Sequence, residues 1–203
     1  SGAADLFGDD GKFEVKLKGS EGAVASVVRG SVTLYYTDLA KAVDEIRSGE
    51  TITLLDDITL NTTLTINTGA AFTIDLNGHD IKATERVIMV KRGNVSFTGE
   101  GTIEETSPYY GAINIKGSDV PGDDYTTVTV GKDVTLEAWA PVFITPYEDS
   151  GAPYAYGVTV NIEGTLKSVR DTSDDKGHGI YINGQIKHLE NAPVINVSGA
   201  YVT

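Results

Sequence analysis

The sequence predicts an all-β fold: a right-handed parallel β-helix with three short strands per coil, closed at its N-terminal end by one α-helix. Three observations lead there. From residue 51 onward, short runs rich in Val, Ile and Thr alternate apolar and polar residues, the period of a half-buried strand. The pattern strand, Gly-containing turn, strand recurs at unequal spacing. A single stretch of helical period stands just ahead of the first repeat.

Along the chain, Phe13-Glu14-Val15-Lys16-Leu17 reads as a strand, as do residues 23–28 and 31–36. Residues 37–46 read as the helix. Thr37 can accept an early backbone N–H, Asp38 favours the positive helix end, and Leu39, Ala42, Val43 and Ile46 fall on one face, with Gly49 just beyond. So short a helix needs a surface to lie on, and the open end of a stack of coils supplies one. The expected organisation is residues 1–50 as N-terminal strands and capping helix, and residues 51–203 as one repeating unit.

The repeats align by turn. Residues 75–81 (DLNGHDI) match 97–103 (FTGEGTI), 130–136 (VGKDVTL), 161–166 (NIEGTL) and 196–202 (NVSGAYV). A further strand precedes each turn set: 64–66, 87–90, 113–115, 142–144 and 180–182. Units of about 20 to 36 residues that cannot bury their own faces must stack on their neighbours. A β-sandwich shares the short strands and turns, but unequal spacing around a fixed three-strand pattern favours the solenoid. No device matching the helix closes the C-terminal end, so further coils, a domain or a contact is expected there.

Composition bounds the function. The chain of 203 residues carries 29 acidic and 16 basic residues, a net charge of −13. That balance disfavours nucleic acid and anionic membranes as partners. With no cysteine, disulfides and thiolate metal sites are excluded. No apolar run approaches the ~20 residues of a membrane-spanning helix.

The segments GETITLLDDITL, FTIDLNGHDI and VSFTGEGTI resemble pectate-lyase-like right-handed β-helix proteins, and more narrowly uncharacterised surface proteins of gut Gram-positive bacteria. The resemblance covers residues 31–203 and implies an extracellular or cell-surface setting. Its markers are structural and carry no chemistry of their own. Gly177-His178-Gly179-Ile180 resembles a motif of polygalacturonase-type hydrolases, with Asp174-Asp175 similar to their paired aspartates. Only Lys176 separates pair and motif here, whereas the family places them one coil apart, and its Asn-Thr-Asp motif is absent. His79 reads as a turn residue, and no catalytic set is assigned.

Two insertions carry the functional expectation, KGSDVPGDDYTT (116–127) and TPYEDSGAPYAYG (145–157). On stacked coils they emerge side by side. Tyr125, Tyr147, Tyr154 and Tyr156 then share a face with Asp119, Asp123, Asp124, Glu148 and Asp149. Aromatic faces with carboxylate acceptors suit a sugar or a protein contact. The same carboxylates are a candidate Ca²⁺ set, an ion that takes six to eight oxygens. The plain alternative is a solvated loop pair packed on the coil. Tyr109, Tyr110 and Trp139 make a second aromatic patch. The expected function is a non-catalytic surface or secreted module presenting loops for glycan or protein binding, adhesin-like. The alternatives are a polysaccharide lyase or glycoside hydrolase acting on acidic polysaccharide, and a trimeric spike.

Overall fold

A computed structural model describes residues 20–107, 109–116, 126–145, 157–169, 177–183 and 192–199, and the backbone of Tyr201–Val202. The predicted strand at Phe13–Leu17 lies outside the described residues. The chain opens with an antiparallel hairpin, β1 (Ala25–Arg29) and β2 (Val32–Tyr36). Gly30, at φ +64°, makes the tight turn. Helix α1 (Leu39–Glu45) follows, then β3 (Thr51–Leu54), β4 (Ile58–Leu60), β5 (Leu64–Asp75), β6 (Ile81–Ala83), β7 (Ile88–Thr98) and β8 (Gly101–Glu105). The remainder is β9 (Ile113–Lys116), β10 (Thr126–Val130), β11 (Val134–Ala138), β12 (Val142–Thr145), β13 (Val158–Ile162), β14 (Thr165–Ser168), β15 (Ile180–Ile182), β16 (Val194–Val197) and β17 (Tyr201–Val202).

From β3 onward every pairing between these strands is parallel, and the strands form three ladders. The first joins the start of β5, the start of β7, β9, β12 and β15. The second joins β3, the end of β5, the end of β7, β10, β13 and β16. The third joins β4, β6, β8, β11, β14 and β17. Strands β5 and β7 each run through both of the first two ladders. Their register slips between Ile66 and Ala71.

Parallel in-register pairing places like residues above like. In the second ladder Ile52, Ile74, Phe97, Val130 and Ile162 form one column, each at most 1% exposed. In the third, Ile58, Ile81, Ile103, Leu136 and Leu166 do the same. In the first, Leu64, Ile88, Ile113, Val142 and Ile180 align. Each buried aliphatic side chain contributes about 1.5–3 kcal/mol. The outward charge pairs Lys82–Glu104 and Lys167–Glu137, both 2.9 Å, contribute about 0–1 kcal/mol each. The columns therefore dominate. A short polar ladder decorates the outside: Asn196 Nδ2 donates to Asn161 Oδ1 (2.8 Å), and Asn161 Nδ2 to Thr129 Oγ1 (3.2 Å).

The corner between the second and third ladders depends on glycine for two different reasons. Asn77 and Gly78 turn with φ +51° and +87°, and His79 N–H donates to the Leu76 carbonyl. His79 thus serves a turn, with Nδ1 3.3 Å from Asp57 Oδ1. At Gly164 the constraint is space, because a Cβ would run into the carbonyl oxygens of Val134 and Gly131 in the turn between β10 and β11.

The helix is shorter than the spacing predicts. Asp38, with extended backbone, is the N-cap and accepts the Ala40 N–H at 2.9 Å, so the capping role falls to Asp38 rather than Thr37. The carboxylate reaches the second helical N–H directly, and Ile46 already has extended backbone. Leu39, Ala42, Val43 and Ile46 are all buried in the common core, and α1 packs on β5, β1 and β2. Arg29 clasps this end. Its Nε and Nη2 donate to the two Glu50 oxygens (2.6 and 2.8 Å), and Nη2 also donates to the Glu45 carbonyl (3.1 Å). Glu50 Oε2 further accepts the Arg47 N–H.

The Arg29 guanidinium, helped by the Arg47 N–H, pulls the Glu50 carboxyl down to about 2 from its ordinary 4.5. Its contribution to stability is therefore complete above about pH 4.5 and is lost as pH falls from there through 2. Melting temperature measured from pH 5 to pH 2 should fall less steeply in Glu50→Gln than in wild type; parallel curves would contradict the clasp. At the corner, Gly164→Ala should cost about 2–4 kcal/mol and Gly78→Ala, where a Cβ meets open space, about 1–2 kcal/mol. Equal losses in denaturant titrations would contradict the distinction.

Candidate functional site

All eight residues expected to bind a ligand, Asp123, Asp124, Tyr125, Tyr147, Glu148, Asp149, Tyr154 and Tyr156, lie outside the described residues, as do Asp119, Asp174 and Asp175. The strands that carry those insertions are described. Both insertions lead from the first ladder to the second, one from β9 to β10 and the other from β12 to β13. Their starting points are register partners, Lys116 with Thr145, and so are the strands they enter, Thr126 with Val158. The roots of the two insertions are thus neighbours.

The outer face of the first ladder holds a feature that strand patterning hides. With the inward columns filled by Leu, Ile and Val, the middle residue of each strand faces out: Thr65, Met89, Asn114, Phe143 and Tyr181, in register. Phe143 and Tyr181 sit one above the other, ring centroids 5.0 Å apart. Beside them, Trp139 and His178 enter from the segments preceding β12 and β15, tied by the His178 N–H donating to the Trp139 carbonyl (2.9 Å). Trp139 lies 6.1 Å from Phe143, 5.3 Å from Tyr181 and 5.2 Å from His178, the last edge to face. The result is a two-by-two array of rings, half-buried except for the exposed His178.

The array has room because Gly111 has no side chain. A Cβ there would lie 2.7 Å from Phe143 Cβ, 3.0 Å from the Ala140 carbonyl and 3.2 Å from Asn114 Oδ1. Asn114, 1% exposed, donates through Nδ2 to the Gly111 (2.8 Å) and Ile88 (3.3 Å) carbonyls. Its Oδ1, and Trp139 Nε1, are buried without a hydrogen-bond partner among the described residues. An unmet buried polar atom costs about 1–3 kcal/mol, so two in one small region call for a reason.

Below the array, Glu105 fixes the approach to β9. It is 1% exposed. Oε1 accepts from the Ser107 N–H (2.8 Å) and hydroxyl (2.7 Å), and Oε2 from the Tyr110 N–H (3.0 Å). Tyr110 lies under the Arg86 guanidinium, 5.2 Å from the ring centre. The expected grouping of Trp139 is with Tyr109 and Tyr110, and the Ala140 N–H beside it does donate to the Tyr110 carbonyl (3.4 Å). Trp139 joins Phe143, His178 and Tyr181, while Tyr109 is largely exposed. Phe143 and Tyr181 were readable as the middle, outward residues of aligned strand triplets. His178, singled out for a hydrolase motif, packs on Trp139 and Tyr181.

Elsewhere the described residues offer less. An open groove of about 400 Å³ between the start of α1 and β4 contains Asp38 and Asp57, and both are engaged with backbone N–H groups. Among the described residues no group of three or more His, Asp or Glu could hold a metal ion. None of their helices is long and apolar enough to cross a membrane. No family model, curated protein or solved structure matches the chain.

Glu105→Ala removes a charged acceptor shared by three donors and should lower stability by about 2 kcal/mol or more, with Glu105→Gln recovering part of it. Chemical denaturation of the two variants checks this; an Ala variant as stable as wild type would contradict the role.

Proposed function

We propose that the three ladders are the three faces of one right-handed parallel β-helix of the pectate-lyase-like kind, closed at its N-terminal end by α1 and the β1–β2 hairpin. On this reading the chain is a non-catalytic module of a secreted or cell-surface protein. It is a rigid scaffold whose first ladder, with the insertions rooted beside it, presents a binding surface for a glycan or a protein. The observation that carries the reading is the register: strands β5, β7, β9, β12 and β15 stack in line, so residues distant in sequence, and the strand ends from which the insertions leave, are held at fixed spacing. Such a platform suits repeated contact along an extended ligand better than chemistry at a point. The ring packing around His178 favours binding over acid–base work, since the neighbours it packs on among the described residues are the Trp139 and Tyr181 rings.

A glycan array with and without Ca²⁺, run on wild type and on Tyr147→Ala/Tyr154→Ala, tests the proposal alongside an assay for new reducing ends or unsaturated products. Binding without bond cleavage, weakened about tenfold in the double variant, is the expected result. Cleavage of any polysaccharide on the panel would overturn the non-catalytic reading. Wild-type binding unchanged in the double variant would remove the insertions from the surface.

A further inference from the structure

We infer that Trp139, Phe143 and Tyr181 form a saccharide-stacking platform on the outer face of the first ladder, selective for an uncharged glycan chain. The inference rests on the module proposed above and names the ligand class of that surface.

The case begins with position. The middle residue of a strand whose neighbours point inward faces away from the core, where a polar residue is the ordinary choice. Thr65 and Asn114 follow that rule; Met89 departs from it but is buried, whereas Phe143 and Tyr181 break it with half-buried rings on two consecutive rungs, and Trp139 stands at their flank. Stacked strands are about 4.8 Å apart, so successive rungs offer ring faces at a fixed repeat, which suits a chain of cyclic units more than a single small molecule. The C–H faces of a sugar ring are apolar while its rim carries hydroxyls, and aromatic side chains match that division.

The second observation is the pair of unmet polar atoms. Trp139 Nε1 is a donor and Asn114 Oδ1 an acceptor, both without a partner among the described residues. Asn114 Oδ1 and Phe143 Cβ both border the space left by Gly111, so the acceptor lies at the foot of the platform. A sugar hydroxyl donates one hydrogen bond and accepts others, so hydroxyls of one ligand can satisfy both atoms. The exposed His178 ring lies edge to face with Trp139 at the border of the platform.

Charge selects the class. The chain carries −13, and of the four rings in the array only His178 can carry positive charge. A polyuronate would meet the long-range repulsion of that net charge, and the three stacking rings carry no charge to offset it; an uncharged glycan would not be repelled.

The chain supplies its own reporter, because Trp139 is its one tryptophan. Emission excited beyond tyrosine absorption would be titrated with uncharged hexasaccharides (β-glucan, mannan, galactan and xylan) and with hexagalacturonate. At least one uncharged hexasaccharide should give a saturable change and hexagalacturonate none. Phe143→Ala and Tyr181→Ala, checked as folded by circular dichroism, should each weaken binding about tenfold or more, and Tyr181→Phe should retain most of it. A response to hexagalacturonate alone, silence across the uncharged set, or unchanged affinity in the folded Ala variants would overturn the inference. If wild type binds the glycan array while the folded Phe143→Ala/Tyr181→Ala variant binds it equally well, the platform fails and the module reading stands. If the array is blank and new reducing ends appear, both fail.

Discussion

Parallel, in-register pairing is the constraint on which the rest of the structure depends. Because each strand sits directly above its counterpart, a buried residue on one rung demands a buried residue of similar shape on the next. The column Ile52, Ile74, Phe97, Val130, Ile162 shows the demand being met by β-branched and aromatic side chains throughout. A slip of one residue would turn such a column to solvent, so burial and register enforce each other. The corners inherit the same rule: Gly164 must be small because the carbonyls of Gly131 and Val134 are held directly beside it.

The N-terminal end is where repetition stops and the chain needs another solution. A first rung of parallel strands leaves apolar columns and backbone edges open. Strand β1 covers the β3 edge by antiparallel pairing, and α1 adds Leu39, Ala42, Val43 and Ile46 to the same core. The Arg29–Glu50 fork ties hairpin, helix end and β3 together. At the other end of the described residues Val194 and Val197 are more than half exposed, although their register partners Thr159 and Ile162 lie within the stack.

Much of the ladder arrangement was legible in the sequence because stacking imposes periodicity. The triplets at 64–66, 113–115, 142–144 and 180–182, which alternation and glycine align in the sequence, share the register of the first ladder. The turn-containing segments fall between the second and third ladders for the same reason. Less visible were features that depend on what lies across space. The antiparallel pairing of β1 with β3 joins segments separated by a helix. The cap is Asp38 because only geometry decides which of two adjacent polar residues reaches the Ala40 N–H. The ring array is hidden in the sequence because Phe143 and Tyr181 are ordinary strand residues, and only their alternation phase distinguishes a core position from an outward one. The insertions drew attention through composition, whereas the array draws on four residues spread from 139 to 181.

The proposed β-helix and the ligand surface on it both require that rungs distant in sequence be neighbours in fixed register. With no native cysteine, engineered thiol pairs report this without interference. The most direct measurement is the rate of disulfide formation in three pairs, one per ladder: Thr65→Cys/Met89→Cys, Thr129→Cys/Asn161→Cys and Thr135→Cys/Thr165→Cys, all register partners. Adjacent parallel strands place such Cα atoms about 5 Å apart, within disulfide reach, while a partner two residues along lies about 8 Å away, beyond it. All three pairs should close rapidly, and the shifted control Thr135→Cys/Lys167→Cys slowly or not at all. Equal rates for matched and shifted pairs, or failure of any one ladder to close, would contradict the stacked architecture.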